Sequence, residues 1–405
     1  FTLGRDSVDR SMPHLLGPEI IPQILNAGFN FDFIDDRAIA KVGIPYHIVI
    51  LPGVERMPVA TAEKLRDYVA HGGIVIATRC LPSLAPGLLQ QKTGTPQLRK
   101  LIHKLFARSN PHARLISSDS ELSAALRRSL KPDFAVASDA SAIGFVHRKL
   151  PNAEIYFVAN TSNTPVDTTA TVCVHGLGAE WWNPFTAKIT SADATPNGKT
   201  TQIPLHLAPY ESRVLVFARG LSAPLAASST GIRRIDLSTD WTVTFPPLHR
   251  TVHMDRLHSW TDDPQTHFYS GVAVYGKAAQ IPSDNHFILD FGKGIPVTRR
   301  PTRNGTRAWL ESPVREAAVV YVNGKKAGSV WHPPYQLDIT GLLHPGSNQL
   351  RIVVGNLAIN ELVGKAPPNY RLLNLRYGNR FSPEGGRIAQ PLPSGLLGPV
   401  TLLAR

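Results

Sequence analysis

This sequence has almost no cysteine: Cys80 and Cys173 are the only two in 405 residues. Because they fall in regions that we interpret as different domains, we expect neither a disulfide framework nor a cysteine-based metal site. No apolar run approaches the roughly 18 residues of a membrane-spanning helix, so we expect no membrane partner. The first residues carry no signal-peptide pattern. Since the first residue is Phe1 rather than Met, we expect a trimmed chain and infer no location from that absence.

Proline and glycine, by contrast, are abundant, with 34 and 31 residues, which favours many turns and short strands over long helices. The chain is 42% hydrophobic and 18% charged, which is typical of a soluble protein with sizeable cores. Its length suggests about two to four domains. Lys and Arg number 43 against 30 Asp and Glu, a net charge of +13. These charges are dispersed and no nucleic-acid-reading motif accompanies them, so we predict a solvated basic surface and no nucleic-acid partner.

Residues 1–140 alternate strand and helix signals. The pattern predicts strands at 29–35, 46–53 and 74–78, and helices at 60–73, 98–108 and 121–130. Ser118 or Asp119 is the candidate N-cap of the last helix. Buried strands that alternate with helices indicate a parallel sheet with right-handed crossovers. We therefore predict a flavodoxin-like domain over 1–140.

The carboxyl ends of the strands are where an open α/β sheet binds ligands. Cys80 follows the strand at 74–78, a position similar to that of the nucleophile in amidotransferase-like domains of this fold. The surrounding RCLP lacks the glycine-flanked turn of a nucleophile elbow, and no convincing His and acid follow. Gly53 and Glu55 lack the glycine-rich cradle and Lys of a phosphate loop. We interpret Cys80 as a structural thiol and the domain as a support domain.

Residues 141–219 change to short strands of period two, separated by turn signals, which predicts a small antiparallel β-sandwich. Trp181 and Trp182 are able to stack on a sugar ring, although a Trp in a strand more often covers a core or an interface. His147-Arg148 is interpreted as part of a domain-interface salt bridge rather than as a catalytic pair. A linker rich in small residues follows at 220–231.

Residues 232–405 carry alternating strands that predict a jelly roll of about eight strands. Asn323-Gly324 indicates a tight hairpin, with Val320, Val322 and Val330 pointing inward. Gly328 suggests a close backbone approach, and Pro333-Pro334 suggests the end of a ladder at a sheet edge. The predicted carbohydrate-binding residues, as stacking platforms, are Trp331, Tyr335, Trp260 and Tyr269.

Long blocks of this sequence resemble the C-terminal half of the α-L-rhamnosidases of glycoside hydrolase family 106. These blocks include HRKLPNAEIYFVANTS, LESPVREAAVVYVNGKKAGSVWHPPYQLDITGLLHPGSNQLRIVVGNLAINEL, YRLLNLRYGNRF and PLPSGLLGPV. LNAGFNFDFIDDRAIA and IVILPGVERMPVATAEKLRDYVAHGG resemble the flavodoxin-like domain of that family. The C-terminal jelly roll resembles galactose-binding-like modules. The likeness covers nearly the whole chain, although no single block is a catalytic motif.

The resemblance implies a larger parent enzyme with an N-terminal (β/α)8 barrel, located in the periplasm or outside the cell. It implies removal of terminal α-linked L-rhamnose from plant or pectic glycans by inversion, with glutamates in the barrel and a calcium ion at the active site. Inversion needs one carboxylic acid on the leaving oxygen and one carboxylate on water. That barrel is outside this sequence, so we assign no catalytic residue, and the metal ligands stay unknown.

The chain's own carboxylates are the remaining catalytic candidates: Asp35-Asp36, Asp262-Asp263, Glu311, Glu316 and Glu361. Adjacent residues on a strand point to opposite faces, so we favour for Asp262-Asp263 a solvated loop or a structural cation. The leading hypothesis is a non-catalytic C-terminal region that braces the missing barrel, its intramolecular partner, next to a rhamnose-containing glycan. A stand-alone carbohydrate-binding protein is the alternative, and an amidotransferase-like enzyme built on the first domain is a third hypothesis. The first hypothesis predicts bare apolar surface on the first two domains.

Overall fold

The computed structural model describes residues 16–138, 140–221, 232–283, 286–298, 308–365, 369–378 and 389–404. The chain divides into two compact units. Unit 1 comprises Phe1–Ala159, Val166–His206 and Ser212–Pro224, and unit 2 comprises Asn160–Pro165, Leu207–Glu211 and Leu225–Arg405. Of the predicted linker at 220–231, residues 222–231 lie outside the described residues.

In the part of unit 1 that the structure describes, a parallel sheet and its covering α-helices come first. The strands are β1 (Ile48–Pro52), β2 (Ile74–Thr78) and β3 (Ala113–Ile116), in that spatial order. The helices are α1 (Ile20–Asn26), α2 (Asp36–Val42), α3 (Val59–Ala70), α4 (Leu88–Leu105) and α5 (Leu122–Ser129). Short 3-10 helices lie at Asp119–Glu121 and Ala140–Ala142.

The parallel sheet is covered on both faces, which explains its nearly continuous apolar strands. Val49 and Leu51 of β1 pack with α3 and α4 in one core. Ile48 and Ile50 pack toward the opposite face, where α1 and α5 lie. Successive residues of a strand point to opposite faces, so one short apolar run supplies two cores.

The helix and strand predictions for this region are largely confirmed. The candidate cap Ser118 is the N-cap of the 3-10 helix Asp119–Glu121, which leads directly into α5. Its hydroxyl accepts from the backbone of the next turn, while the Glu121 carboxylate accepts from the Ser118 N–H at 3.1 Å, forming a capping box. The helix predicted at 98–108 is wrong in its start, because α4 already begins at Leu88.

The strand predicted at 29–35 is wrong, since no ladder forms there. Asn30 instead uses its side-chain amide as a strand would use a peptide group. Its Nδ2 donates to the Phe145 carbonyl at 2.9 Å, and its Oδ1 accepts from the His147 N–H at 3.0 Å. The apolar pattern predicted strand conformation, but a strand also requires a neighbour to pair with.

Unit 1 continues into two antiparallel sheets, as the period-two pattern predicts. One sheet has the order β10-β11-β7-β4 and the other β5-β6-β12-β8-β9. The strands are β4 (Phe134–Val136), β5 (Ile143–Lys149), β6 (Ala153–Asn160), β7 (Val166–Val172), β8 (Gly178–Trp182), β9 (Ile189–Ser191), β10 (Thr195–Asn197), β11 (Thr200–Leu207) and β12 (Ser212–Ala218).

Unit 2 is built from antiparallel strands. One sheet has the order β15-β14-β16-β24-β21-β22, a second has β13-β26-β17-β23, and β18-β19 and β20-β25 form two-stranded pairs. The strands are β13 (Arg233–Asp236), β14 (Thr239–Phe245), β15 (Arg250–Arg256), β16 (Val272–Ile281), β17 (Phe287–Asp290), β18 (Ile295–Pro296), β19 (Leu310–Glu311), β20 (Val314–Arg315), β21 (Ala317–Val322), β22 (Lys325–Val330), β23 (Gln336–Asp338), β24 (Gly346–Gly355), β25 (Gly395–Leu396) and β26 (Thr401–Ala404). Helices α6 (Ile359–Gly364) and α7 (Arg371–Tyr377) follow β24, and 3-10 helices lie at Pro246–Leu248 and Trp260–Asp262.

The predicted hairpin in unit 2 joins β21 to β22. Asn323 and Gly324 have φ of 50° and 80°, as a two-residue turn with left-handed centres requires. Val320, Val322 and Val330 are buried in the core, as the alternation predicts. Gly328 also has the predicted close approach, because a Cβ there would lie 2.6 Å from the Leu337 side chain.

The described chain therefore has a mixed fold, with several antiparallel sheets, one parallel sheet and few helices. Among the described residues, no helix is both long and apolar enough to cross a membrane.

Candidate functional sites

Three of the four predicted sugar-stacking aromatics are buried in the core of unit 2. Trp260, Tyr269 and Tyr335 are 1%, 8% and 5% exposed. Trp260 donates from Nε1 to the Tyr275 hydroxyl at 2.7 Å and packs edge-on against Phe245. A buried ring has no free face for a sugar, so the structure corrects the assignment of these three as platforms.

Trp331 is the one of the four that presents its ring, with 56% of its surface exposed. It directly follows β22, where the chain leaves the sheet before Pro333-Pro334. The ring of His332 lies edge-on to it at a centroid distance of 4.7 Å. An exposed indole at a strand end is suited to stacking on the apolar face of a pyranose.

The two tryptophans predicted on β8 of unit 1 differ in their surroundings. Trp182 is 41% exposed, and its Nε1 donates to the Glu180 carboxylate at 3.0 Å. Trp181 lies under the Arg213 guanidinium, 6.0 Å from the ring centroid. Trp182 is thus a second exposed indole, and Trp181 is covered by a cation.

Among the candidate carboxylates, Glu316 has the environment closest to that of a general acid. Burial raises its pKa, while the adjacent Arg315 charge lowers it by a smaller amount. Arg315 also pairs with Glu311 at 3.5 Å. Burial raises the pKa of Tyr335 too, and the Glu316 charge adds to that rise. One carboxyl with a raised pKa is half of what glycosidic hydrolysis requires.

The other candidate carboxylates serve local structure. Asp35 caps α2, accepting from the Ala38 N–H at 2.7 Å. Asp262 accepts from the Ser259 N–H, whereas Asp263 pairs with Arg250, so the two adjacent carboxylates have different partners. Glu361 pairs with Lys365 one helical turn away. Such engaged groups are poorly placed to activate one water together.

A polar cluster in unit 1 is centred on His147. We call this cluster, which also contains Asp133, Glu154 and Tyr156, the His147 network. Both ring nitrogens of His147 lie 2.8 Å from a carboxylate, Nδ1 from Asp133 and Nε2 from Glu154, and the protonated imidazolium donates to both. The ring stacks on Tyr156 at a centroid distance of 4.1 Å, and the Tyr156 hydroxyl donates to Asp133 at 2.9 Å. Burial lowers the pKa of His147, but the hydrogen bonds and charges of the two carboxylates outweigh it and raise the pKa.

The His147 network is a structural clamp rather than a catalytic dyad. A general base needs a free lone pair facing a substrate, whereas both nitrogens here are engaged. Burial and the Asp133 charge also raise the pKa of Tyr156 far above its usual range, so its hydroxyl stays protonated as a donor. Of the predicted pair His147-Arg148, His147 does form salt bridges, and both of its partners, Asp133 and Glu154, lie in the same unit.

The sequence analysis did not identify the partners of His147. Two of them, Tyr156 and Glu154, could have been predicted from the register of the β5–β6 hairpin. The Leu150 N–H donates to the Ala153 carbonyl at the turn between β5 and β6. This register places Tyr156 directly across from His147 and Glu154 across from Lys149. Cross-strand neighbours interact, and the sequence LPNA between the strands would have sufficed to set that register. Asp133, in contrast, comes from outside the hairpin.

The carboxyl edge of the parallel sheet is filled by Arg79. This residue has φ of 66° and pairs with Asp119, from Nε to Oδ1, at 3.4 Å. Its Nη2 donates to the Leu16 carbonyl at 3.2 Å. A Cβ at Gly53 would lie 2.7 Å from the guanidinium, so the side chain occupies the space beyond β1 where a ligand would bind. Half-buried Cys80 follows Arg79 in this filled edge.

One cluster in the described residues has a ligand set that could hold a metal ion: Asp240, His253 and Asp255. Their ligand atoms lie within 4.8 Å of one another, and all three residues are exposed. Calcium takes about six to eight oxygen ligands and no imidazole. Two carboxylates beside a histidine do not fit the calcium ion that the family resemblance implies.

Comparison with known proteins bears on these sites. The family model Glyco_hydro_106, described as alpha-L-rhamnosidase, matches residues 23–195. The chain resembles the family 106 α-L-rhamnosidases. A solved rhamnosidase from Novosphingobium sp. PP1Y is 26% identical, with a TM-score of 0.67, over 88% of this chain and 33% of that chain.

A curated relative from Formosa agariphila, provisionally described as a β-glucuronidase, is 26% identical over 212 residues. That match covers 49% of this chain and 18% of the relative. The chain thus spans about a third of the solved rhamnosidase and matches about a fifth of the curated protein. Together these matches relate the chain to glycoside hydrolases, with a rhamnosidase-like fold.

Proposed function

We propose that this chain is the C-terminal, non-catalytic region of an α-L-rhamnosidase that removes terminal α-L-rhamnose from plant or pectic glycans with inversion. The observation that carries the proposal is the match to the Novosphingobium rhamnosidase, which covers 88% of this chain and only 33% of the larger one. On this proposal residues 1–140 are a flavodoxin-like support domain, 141–219 a small β-sandwich and 232–405 a galactose-binding-like jelly roll.

The state of the carboxylates supports a non-catalytic role. Asp35, Asp262 and Asp263 are held in caps and an ion pair, which leaves Glu316 without an evident second carboxylate among them. The catalytic pair, and the calcium ion that family resemblance implies, would then belong to an N-terminal barrel. Such an enzyme would act in the periplasm or outside the cell, where polymeric glycans are met.

Exposed apolar side chains in unit 1 also support a bracing role. Val42, Leu88 and Leu89 are 70%, 86% and 85% exposed. Large apolar side chains in such number are expected on a face that packs against another domain. We propose the missing barrel as the partner of these exposed side chains.

Hydrolysis of an aryl α-L-rhamnoside tests the proposal directly. We expect no turnover by the isolated chain, and turnover when an N-terminal barrel is joined to it in one polypeptide. The Glu316→Gln variant of that longer enzyme should keep its kcat, because Glu316 is outside the proposed catalytic pair. Turnover by the isolated chain that is lost in Glu316→Gln would overturn the non-catalytic assignment.

Carbohydrate binding by the chain alone is a second candidate function, favoured by the exposed ring of Trp331. Calorimetry with rhamnose and with rhamnogalacturonan fragments would detect it. We expect Trp331→Ala to abolish the binding heat and Trp182→Ala, which removes an equally large exposed indole from unit 1, to leave it unchanged. Equal losses in both variants, or no heat with the unmodified chain, would exclude Trp331 as a platform.

A further inference from the structure

Unit 1 contains an apolar cavity of about 530 Å³ beside β1. One wall is β1 itself, and the other is the extended segment 29–34, which pairs with no strand. Leu16, Ile20 and Ile24 of the first helical region close one side. We call this cavity the strand slot.

β1 and segment 29–34 face each other across the strand slot, and neither has a β-ladder partner on the side of the slot within the described residues. β1 pairs with β2 on one side only, so within the described residues its other edge has no ladder partner. Segment 29–34 has an apolar residue at every second position, yet Phe33 is 65% exposed. An open strand edge flanked by exposed apolar side chains is the kind of feature that proteins normally cover.

The helices show which strand belongs in the slot. The crossover from β1 through α3 to β2 has its helix on the face shared with α4. The connection from segment 29–34 to β1 uses α2, which packs against α3 on that face. Because such crossovers are right-handed, this places segment 29–34 on the side of β1 away from β2.

Helix α1 completes the argument because it packs with α5 on the opposite face. A right-handed crossover on the opposite face advances in the opposite direction across the sheet. The strand that precedes α1 must therefore lie on the β1 side of segment 29–34. That position, between segment 29–34 and β1, is the strand slot.

We propose that the strand slot receives a parallel β-strand, supplied by polypeptide N-terminal to Leu16. The sheet would then have the doubly wound order 2-1-3-4-5, with the inserted strand as its first. Both faces of the sheet are covered at this point, so the strand should be a nearly continuous run of about five valine, isoleucine or leucine residues.

Residues 1–15 do not contain such a run. They read FTLGRDSVDRSMPHL, with charged residues at Arg5, Asp6, Asp9 and Arg10 and a proline at Pro13. The strand is therefore assigned to chain that precedes Phe1 in a longer polypeptide, and only this choice of source rests on the proposed function. Fifteen extended residues reach up to about 50 Å, enough to link a strand in the slot to α1.

A fusion tests the strand slot without an activity assay. The chain is produced with Lys-Val-Val-Ile-Val-Ile-Lys placed ahead of Phe1, so that residues 1–15 act as the linker. We expect backbone amide exchange in residues 48–51 to slow at least about tenfold in this fusion, with a higher Tm. The matched control has proline in place of the central isoleucine, which removes a ladder donor, and should show neither change.

A slot variant of the fusion checks the site. Phe33→Ser replaces an exposed side chain, so the variant should fold normally. It should lose most of the slower exchange and of the higher Tm that the fusion confers. Equal exchange in the fusion and its proline control would overturn the proposal, as would concentration-dependent dimerisation that protects residues 48–51 without the fusion. Protection of residues 48–51 that disappears when residues 1–15 are deleted from the unfused chain would overturn the assigned source. Failure of rhamnoside turnover would leave all of these readouts unaffected.

Discussion

Replacing His147 by alanine should destabilise unit 1 far more than its position near the surface suggests. The variant leaves Asp133 and Glu154 without their shared cation and removes the ring that stacks on Tyr156. The side chains of His147, Asp133 and Glu154 are only 17–29% exposed. Breaking a buried pair costs about 3–5 kcal/mol, and partial exposure reduces that loss here to about 2–3 kcal/mol.

The effect should depend on pH in a defined direction. The folded-state pKa of His147 is raised above its unfolded value of about 6.5. The stabilisation is therefore fully present below pH of about 6.5 and is lost as pH rises through the folded pKa. Urea denaturation of the wild type and His147→Ala, followed by amide exchange in β5 and β6, should show a larger difference at pH 5.5 than at pH 9.

His206 provides the matched control. It also pairs with a carboxylate, Asp167, at 2.9 Å, but the two side chains are 66% and 83% exposed. Exposed pairs contribute about 0–1 kcal/mol, so His206→Ala should lose little stability at any pH. Equal losses in the two variants, or a His147→Ala loss that grows with rising pH, would refute the reasoning.

Three further substitutions test packing and capping. Ser118→Ala should cost about 1 kcal/mol and speed amide exchange in α5, because the capping box is lost; no change in exchange would contradict that role. Gly395→Ala should lower the Tm of unit 2 strongly, since φ is 99° and a Cβ would lie 2.4 Å from Trp260 Nε1; Gly341→Ala, with φ of 77° in open space, is the control and should cost about 1 kcal/mol. Trp260→Ala should cost about 3–5 kcal/mol in urea denaturation, whereas Trp331→Ala should leave stability nearly unchanged; similar costs would mean that the burial difference is not energetically relevant.

Strands could be predicted from the sequence where an apolar pattern coincides with a neighbouring strand to pair with. Residues 74–77 are apolar at every position, and the strand lies between two parallel partners, so the apolar run was sufficient to identify β2. Residues 29–35 have an equally good pattern and form no strand. Local sequence indicates a preference for extended backbone, but the ladder depends on a neighbouring chain.

The aromatic sites were less predictable for a related reason. Trp260 and Trp331 both stand in polar, turn-rich surroundings in the sequence. Tryptophan is common in protein cores and in sugar-binding sites alike, so the residue type does not separate the two. Which ring is exposed depends on the packing of β25 and Tyr275 over Trp260, contacts that bring together residues far apart in the chain. The His147 network shows the same division, with Tyr156 and Glu154 readable from the hairpin and Asp133 not.

Asn30 has a consequence for how this protein ages. Its side-chain amide is the donor to the Phe145 carbonyl. Slow hydrolysis of that amide to a carboxylate would replace the donor with an oxygen and set two acceptors against each other. The same oxygen that holds the His147 N–H would be kept, so the damage would be confined to one bond. In stored samples the contact between residue 30 and β5 should therefore weaken first. Mass spectrometry would detect the change as a gain of about one dalton.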